Sequence, residues 1–166
     1  MQSLSILWIE RRAMQEITAE ANRSYPNETG GVLVGYVANQ NQRVVLEVIG
    51  PGPSASHQRT RFEPDHSWQC GQLDIIYAQS SGGLSYLGDW HTHPSGVPRM
   101  SRLDRRTLRT ISRHFAGQAF RPIMLIGGGN ADNWNWASYQ FSDDRFWGMS
   151  IQCLELAVRL FESEDG

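Results

Sequence analysis

A mixed β-sheet flanked by helices, an α/β sandwich, is the fold class that this sequence predicts. Three observations carry that expectation. An apolar stripe at helical spacing lies near the N-terminus, short β-branched segments fill the middle, and a second helical pattern lies near the C-terminal end. The 166 residues, 40% of them hydrophobic, suffice for one core, and no internal repeat or linker divides them. A single domain over residues 1–166 is expected.

In order along the chain, Ile9, Ala13, Ile17 and Ala21 recur at steps of four, which predicts a helix over Ile6–Arg23 ending near Tyr25-Pro26. Gly31–Ala38 and Arg43–Ile49 are apolar and β-branched, and the polar turn Asn39–Gln42 joins them as a hairpin. Gly50–Arg61, rich in Pro, Gly and Ser, reads as a surface loop. Asp65–Gln79 is expected to be a helix with Trp68, Leu73, Ile76 and Tyr77 on one side. Leu84–His93 reads as a strand that Pro94-Ser95-Gly96 breaks. Ser101–Phe115 reads as a helix with a Ser cap and an acid, Asp104, in its first turn. Arg121–Ile126 is expected as a strand, Gly127–Gly129 as a turn and Asn133–Phe141 as another strand. A last helix is expected over Asp143–Phe161.

The formal net charge is −2, which gives no basis for an electrostatic nucleic-acid binder. All 15 basic residues are arginine. Five of them, Arg102, Arg105, Arg106, Arg109 and Arg113, share one predicted helix and read as a solvated face. Cys70 and Cys153 are far apart and form no CxxC pair, so a cysteine zinc knuckle is excluded and two buried free thiols are expected. The N-terminal stretch turns charged by Glu10 and lacks a long apolar run. A cytoplasmic protein without a membrane partner is expected.

Chemistry concentrates at His91-Thr92-His93. Residues two apart on a strand face the same side, so both imidazoles can address one point. Asp104, returned by the short connection after Pro94, supplies a third donor. Two imidazoles and one carboxylate leave a tetrahedral zinc ion one open position, the arrangement of catalytic rather than structural sites. One Zn2+ per chain is therefore the expected cofactor. A carboxylate is still needed to move protons, and Glu28, just ahead of Gly30, Gly31 and the strand they open, is the candidate general base.

Glu28-Thr29-Gly30-Gly31-Val32-Leu33-Val34-Gly35 and Gly88-Asp89-Trp90-His91-Thr92-His93-Pro94, followed by Ser101 and Asp104, resemble the JAMM or MPN-plus (Mov34/PAD-1-like) zinc metalloproteases, in their bacterial deconjugase branch. That family's pattern is an upstream Glu, then His-x-His, seven residues, Ser, two residues and Asp; here Pro94–Met100 are the seven. The likeness runs from Ile6 to about Phe141. It implies cytidine-deaminase-like layering of sheet and helices, with His91, His93 and Asp104 as metal ligands and Glu28 as acid/base. Ser101 would be the second catalytic residue, steadying the oxyanion. It also implies cleavage of a peptide or isopeptide bond after the C-terminal tail of a ubiquitin-like protein or a tail-conjugated enzyme. The setting implied is an antiviral-defence or ubiquitin-like conjugation operon. His93-Pro94-Ser95-Gly96 also resembles the RadC-associated branch, so a DNA-associated role is one alternative and a non-catalytic scaffold of the same fold another. The Glu-x-Gly-Gly-Val-Leu segment places the chain with the deconjugases. A zinc deaminase is excluded, because the H-x-E and P-C-x-x-C signature is missing.

Trp90 faces opposite to His91 by alternation and is expected in the core, as are Trp134 and Trp136. His57, His66 and His114 lack partners at ligand spacing and read as surface or structural. The Gly50–Arg61 segment is the expected variable insertion beside the cleft, where an extended tail could pair with a strand edge.

Overall fold

Residues 4–115, 118, 120–142, 145–146, 149–150 and 153–164 are described by a computed structural model of the chain. The first strand, β1 (Ile6–Glu10), was not expected, and it passes directly into α1 (Arg11–Ser24). The helical stripe is real from Ala13 onward, with Ala13, Ile17 and Ala21 buried, but Leu7 and Ile9 are strand residues of the core. Glu10 caps α1 by accepting from the Ala13 amide at 3.1 Å. Glu is not a favoured cap residue, so the boundary left no sequence signal.

The expected hairpin forms from β2 (Gly30–Asn39) and β3 (Gln42–Ile49). The segment after β3 is more ordered than the loop expected from its Pro and Gly content: β4 (Ser56–Gln58) and β5 (Arg61–Glu63) pair antiparallel across a two-residue turn. Then come α2 (His66–Gln79), β6 (Ser85–Pro94), α3 (Arg102–His114), β7 (Ile123–Asn130) and β8 (Asn133–Phe141). Of the four side chains expected on one side of α2, Leu73 and Ile76 pack inward, while Trp68 and Tyr77 are exposed. The triple glycine continues β7 instead of turning, because Gly127 gives room to the Trp136 ring: a Cβ there would lie 2.6 Å from it.

The expected last helix is the largest correction. Its described parts are strands: β9 (Arg145–Phe146), β10 (Met149–Ser150) and β11 (Cys153–Phe161). The remaining positions between 143 and 152 lie outside the described residues. β11 pairs antiparallel with β8 and parallel with β1, and β1 pairs parallel with β3. The mixed sheet β1-β11-β8-β7-β6-β2-β3 therefore closes into a barrel.

The expected layering, helices on both faces of a mixed sheet, follows from alternation along these strands. Leu33, Ile123 and Leu125 point to the face covered by α1, with Leu7, Val45, Trp90 and Leu156. Val32 and Val34 point the other way, against Leu73 and Ile76 of α2. Met124 and Ile126 do the same beneath Leu108 of α3. Among the described residues no helix is long and apolar enough to cross a membrane.

The strand assignment of β11 has a measurable consequence. Leu156 is 2% exposed and Leu154 38%. Leu156→Ala is expected to cost about 2–5 kcal/mol and Leu154→Ala less than about 1 kcal/mol in urea denaturation. Equal losses at the two positions would contradict this placement.

Candidate metal centre

β6 presents its histidines by strand alternation. Trp90 and Thr92 are buried toward one face, while His91 and His93 emerge on the other, at the edge of the layer that holds α2 and α3. Their Nε2 atoms lie 3.0 Å apart. Asp104 reaches them from the first turn of α3, with Oδ1 3.2 Å from His91 Nε2 and Oδ2 3.4 Å from His93 Nε2.

Asp104 is held in place by a capping box. Its amide donates to Ser101 Oγ at 3.1 Å, and the Ser101 amide donates to Asp104 Oδ2 at 2.7 Å. One turn further on, buried Leu108 pins the helix to Met124 and Ile126. The expected cap and first-turn acid are thus both present, and the same carboxylate faces the two imidazoles.

The donor geometry suits a small cation. Ligand atoms about 2.0–2.1 Å from a tetrahedral zinc ion stand roughly 3.3 Å from one another. The two Nε2 atoms here are 3.0 Å apart and face different oxygens of Asp104, Oδ1 at 3.2 Å and Oδ2 at 3.4 Å. One donor atom from each residue lies within 4.8 Å of the others. His93 Nδ1 lies 3.1 Å from the Val97 carbonyl. A carbonyl only accepts, so Nδ1 carries the hydrogen; the neutral ring keeps its Nε2 lone pair for a metal ion, and the protonated ring donates from Nε2 to Asp104. Among the described residues, His91, His93 and Asp104 form the cluster able to hold a metal ion. The charges respond accordingly. Burial pushes Asp104 upward, but hydrogen bonds from both histidines, their charge and the Ser101 amide outweigh it and hold the carboxyl below the usual range. The bond to Asp104 raises His93 against the opposing effect of burial.

Glu28 arrives from the neighbouring strand. β2 and β6 pair with Gly30 opposite His91 and Gly31 opposite Trp90. Just before that ladder, Thr29 is fastened to Thr92: the Thr29 amide donates to Thr92 Oγ1 at 3.1 Å, and the Thr92 amide to the Thr29 carbonyl at 2.9 Å. The half-buried Glu28 carboxyl is raised by burial, lowered by His91 and His93 and raised again by Asp104. It therefore shares one electrostatic site with all three donors. The five residues singled out in the sequence, Glu28, His91, His93, Ser101 and Asp104, stand together.

Two contributors had no sequence signal of their own. Thr92 lies between the histidines, fully buried, as the link to the Glu28 strand. His57, read as surface or structural, sets its Nδ1 3.0 Å from the Glu28 carbonyl. Beneath the cluster, Asp89 accepts from Tyr86 Oη at 3.1 Å, and burial pushes its carboxyl up to about 6. At the rim, Tyr25 Oη lies 3.3 Å from Ser95 Oγ and donates to Asn130 Oδ1 at 3.1 Å, tying the end of α1 to the turn after Pro94.

Trp90 is buried as expected. Trp136, partly buried, packs against the core as expected, while Trp134 is half-buried and donates to Asn22 Oδ1 at 2.7 Å. His66 and His114 are exposed, as are Arg102, Arg105, Arg106 and Arg113 of α3. Neither described cysteine is bridged; Cys153 is half-buried, but Cys70 is exposed on α2 and not buried as expected.

Residues 10–141 match the family described as prokaryotic homologs of the JAB domain. A probable metalloprotease, y4qB, of Sinorhizobium fredii is 38% identical over 132 residues, covering 78% of this chain and 79% of that protein. A protein of Enterobacter hormaechei named CD-NTase/cGAS isopeptidase is 29% identical over 129 residues, covering 77% and 70%. The solution structure of DSY2949 from Desulfitobacterium hafniense superposes with a TM-score of 0.65 over 95% of this chain and 94% of that one. At 22% identity, that likeness speaks for the fold alone.

Thr92→Val removes the hydroxyl that accepts from the buried Thr29 amide while keeping the volume. It is expected to cost about 1–3 kcal/mol in urea denaturation, and Thr92→Ser less. Equal stability of the valine variant and the native chain would remove Thr92 as the tie between the strands.

Proposed function

Because the chain belongs to the prokaryotic homologs of the JAB domain, we propose that this metalloprotease is a single-domain zinc enzyme of the cytoplasm. On this reading it hydrolyses a peptide or isopeptide bond after the C-terminal tail of a ubiquitin-like protein or a tail-conjugated enzyme. An antiviral-defence or ubiquitin-like conjugation operon is the proposed setting. The observation that carries it is the triangle of His91 Nε2, His93 Nε2 and Asp104, with the Glu28 carboxyl in the same electrostatic site. Relatives named CD-NTase/cGAS isopeptidase support a conjugated protein tail as substrate.

His91, His93 and Asp104 would hold the ion. Bound there, zinc supplies Lewis acidity and lowers the pKa of a coordinated water to about 7. Glu28 takes the proton of the attacking water on a carboxylate oxygen and passes it to the leaving amine. Burial raises the Glu28 carboxyl, which makes its ionised form a stronger base toward the water's proton. Ser101 Oγ accepts from the Asp104 amide, which leaves its own hydrogen to donate to the oxyanion of the tetrahedral intermediate. A scaffold without catalysis would not need this complete set, and the net charge of −2 weighs against a DNA-associated role.

Fusions bearing the C-terminal tails encoded by neighbouring genes test the reading. The purified protein is expected to hold one zinc per chain, to cleave at the tail, to stop with chelator and to recover with zinc. Glu28→Gln is expected to keep the zinc and lose about 10²–10⁴ in kcat, while His91→Ala loses the metal itself. Native rates in Glu28→Gln would dismiss Glu28 as the base. Active protein free of metal would dismiss the whole proposal.

A further inference from the structure

The Glu28 carboxylate has no hydrogen-bond partner among the described residues, so nothing on its own side chain aims it. Its direction is set by its backbone, and both backbone groups are held by β4. The Glu28 amide donates to the Gln58 carbonyl at 2.8 Å, and His57 Nδ1 lies 3.0 Å from the Glu28 carbonyl. That carbonyl can only accept, so His57 Nδ1 carries the hydrogen.

The histidine is itself braced. On the short hairpin, Ser56 and Gln58 face outward while His57 faces inward beside its cross-strand partner Phe62, ring centroids 5.4 Å apart. Phe62 in turn rests on Gly30, where a Cβ would come within 2.9 Å of its ring. From the other side, Thr29 is fixed to β6 through Thr92. Glu28 is thus the residue at which the hairpin and the histidine strand meet.

We propose that His57 is a positioning residue for Glu28: its Nδ1–H fixes the peptide plane that points the catalytic carboxylate into the metal cleft. The inference rests on the reading of Glu28 as general base, and it adds a residue that touches neither metal nor substrate. The Gln58 bond is backbone to backbone and survives substitution, so the imidazole is the one contact of this clamp that side-chain chemistry can remove. A displacement of about 1 Å in a catalytic group can cost roughly a hundredfold in rate.

Three variants separate the donor from the packing. His57→Phe keeps a ring against Phe62 and loses the donor; His57→Asn loses the ring but places an amide N–H where Nδ1 stands; His57→Ala loses both. With the tail fusions, Phe and Ala are expected to lower kcat about tenfold to a hundredfold, with KM within about twofold and one zinc per chain retained. Asn is expected to recover most of the rate. In a Glu28→Gln background none of the three is expected to slow the residual reaction further, since the two residues act as one unit.

A second measurement needs no catalysis. Hydrogen–deuterium exchange across residues 26–30 of the metal-free protein is expected to speed severalfold in Phe and Ala and to return toward native in Asn. Native kcat and native exchange in His57→Phe would overturn the proposal. So would a loss confined to KM, failure of Asn to recover what Phe loses, or additive losses in the Glu28→Gln background. A chain that cleaves no tail but shows the exchange pattern would sink the proposed function and leave the clamp standing.

Discussion

The antiparallel pairing of β2 with β6 is the constraint on which the site depends. It sets Gly30 opposite His91, so the residue two positions earlier, Glu28, is delivered to the edge where His93 emerges. A side-chain period of two makes that register strict: a slip of one residue would turn every side chain of a strand to the wrong face. Close approach enforces it here. A Cβ at position 30 would sit 2.4 Å from the Trp90 carbonyl, and one at position 31 only 1.9 Å from the Ile49 carbonyl. Displaced by one residue in either direction, β2 would bring Thr29 or Val32 into space that only hydrogen can occupy. The glycine pair therefore acts on chemistry through register, by forbidding the alternatives to the one pairing that unites the carboxyl with the imidazoles.

Much of this was legible from the residues, and the reasons are physical. His91-Thr92-His93 reads directly, because strand alternation is a local rule and two imidazoles on one face are visible in three letters. Asp104 and Ser101 read as a helix start for an equally local reason. What was illegible depended on partners distant in sequence. In β11, Leu, Glu, Ala and Arg have good helix propensity, and only pairing with β1 and β8 makes the segment a strand. β1 was hidden in the same way, its Ile9 falling in step with the α1 stripe that begins four residues later. The pair β4–β5 lay in a stretch whose proline, glycine and serine argued for irregular chain, and its order comes from Phe62 seated on Gly30 and Gln58 bonded to Glu28. His57 was unreadable because its partner is a backbone carbonyl, and no spacing rule reports which carbonyl a side chain will meet.

The locks around the cleft are distributed unequally, and the inequality matches the work proposed for each group. The three candidate metal donors are fixed at the side-chain level. His93 is tied through Nδ1 to Val97, Asp104 through the capping box to Ser101, and both histidines face the carboxylate. Each of these ties is made by the protein's own groups. At a helix N-terminus, where backbone amides favour an anion, Asp104 is also the member most firmly kept ionised.

Glu28 is treated in the opposite way. Its backbone is held on both sides, but its carboxylate meets no hydrogen-bond donor among the described residues. A carboxylate gripped by two or three N–H groups would have its pKa driven down and its oxygens committed, which suits a ligand and disables a proton carrier. Partial burial without hydrogen bonds does the reverse, raising the pKa while leaving both oxygens able to swing between an incoming water and a departing amine. Rigid main chain with an unbound head group is thus the arrangement that a shuttling base demands. With Glu28 as the proposed base, the burden of aim falls on the peptide planes at positions 28 and 29, which the short hairpin and the buried threonine between the histidines hold without supplying a reacting atom.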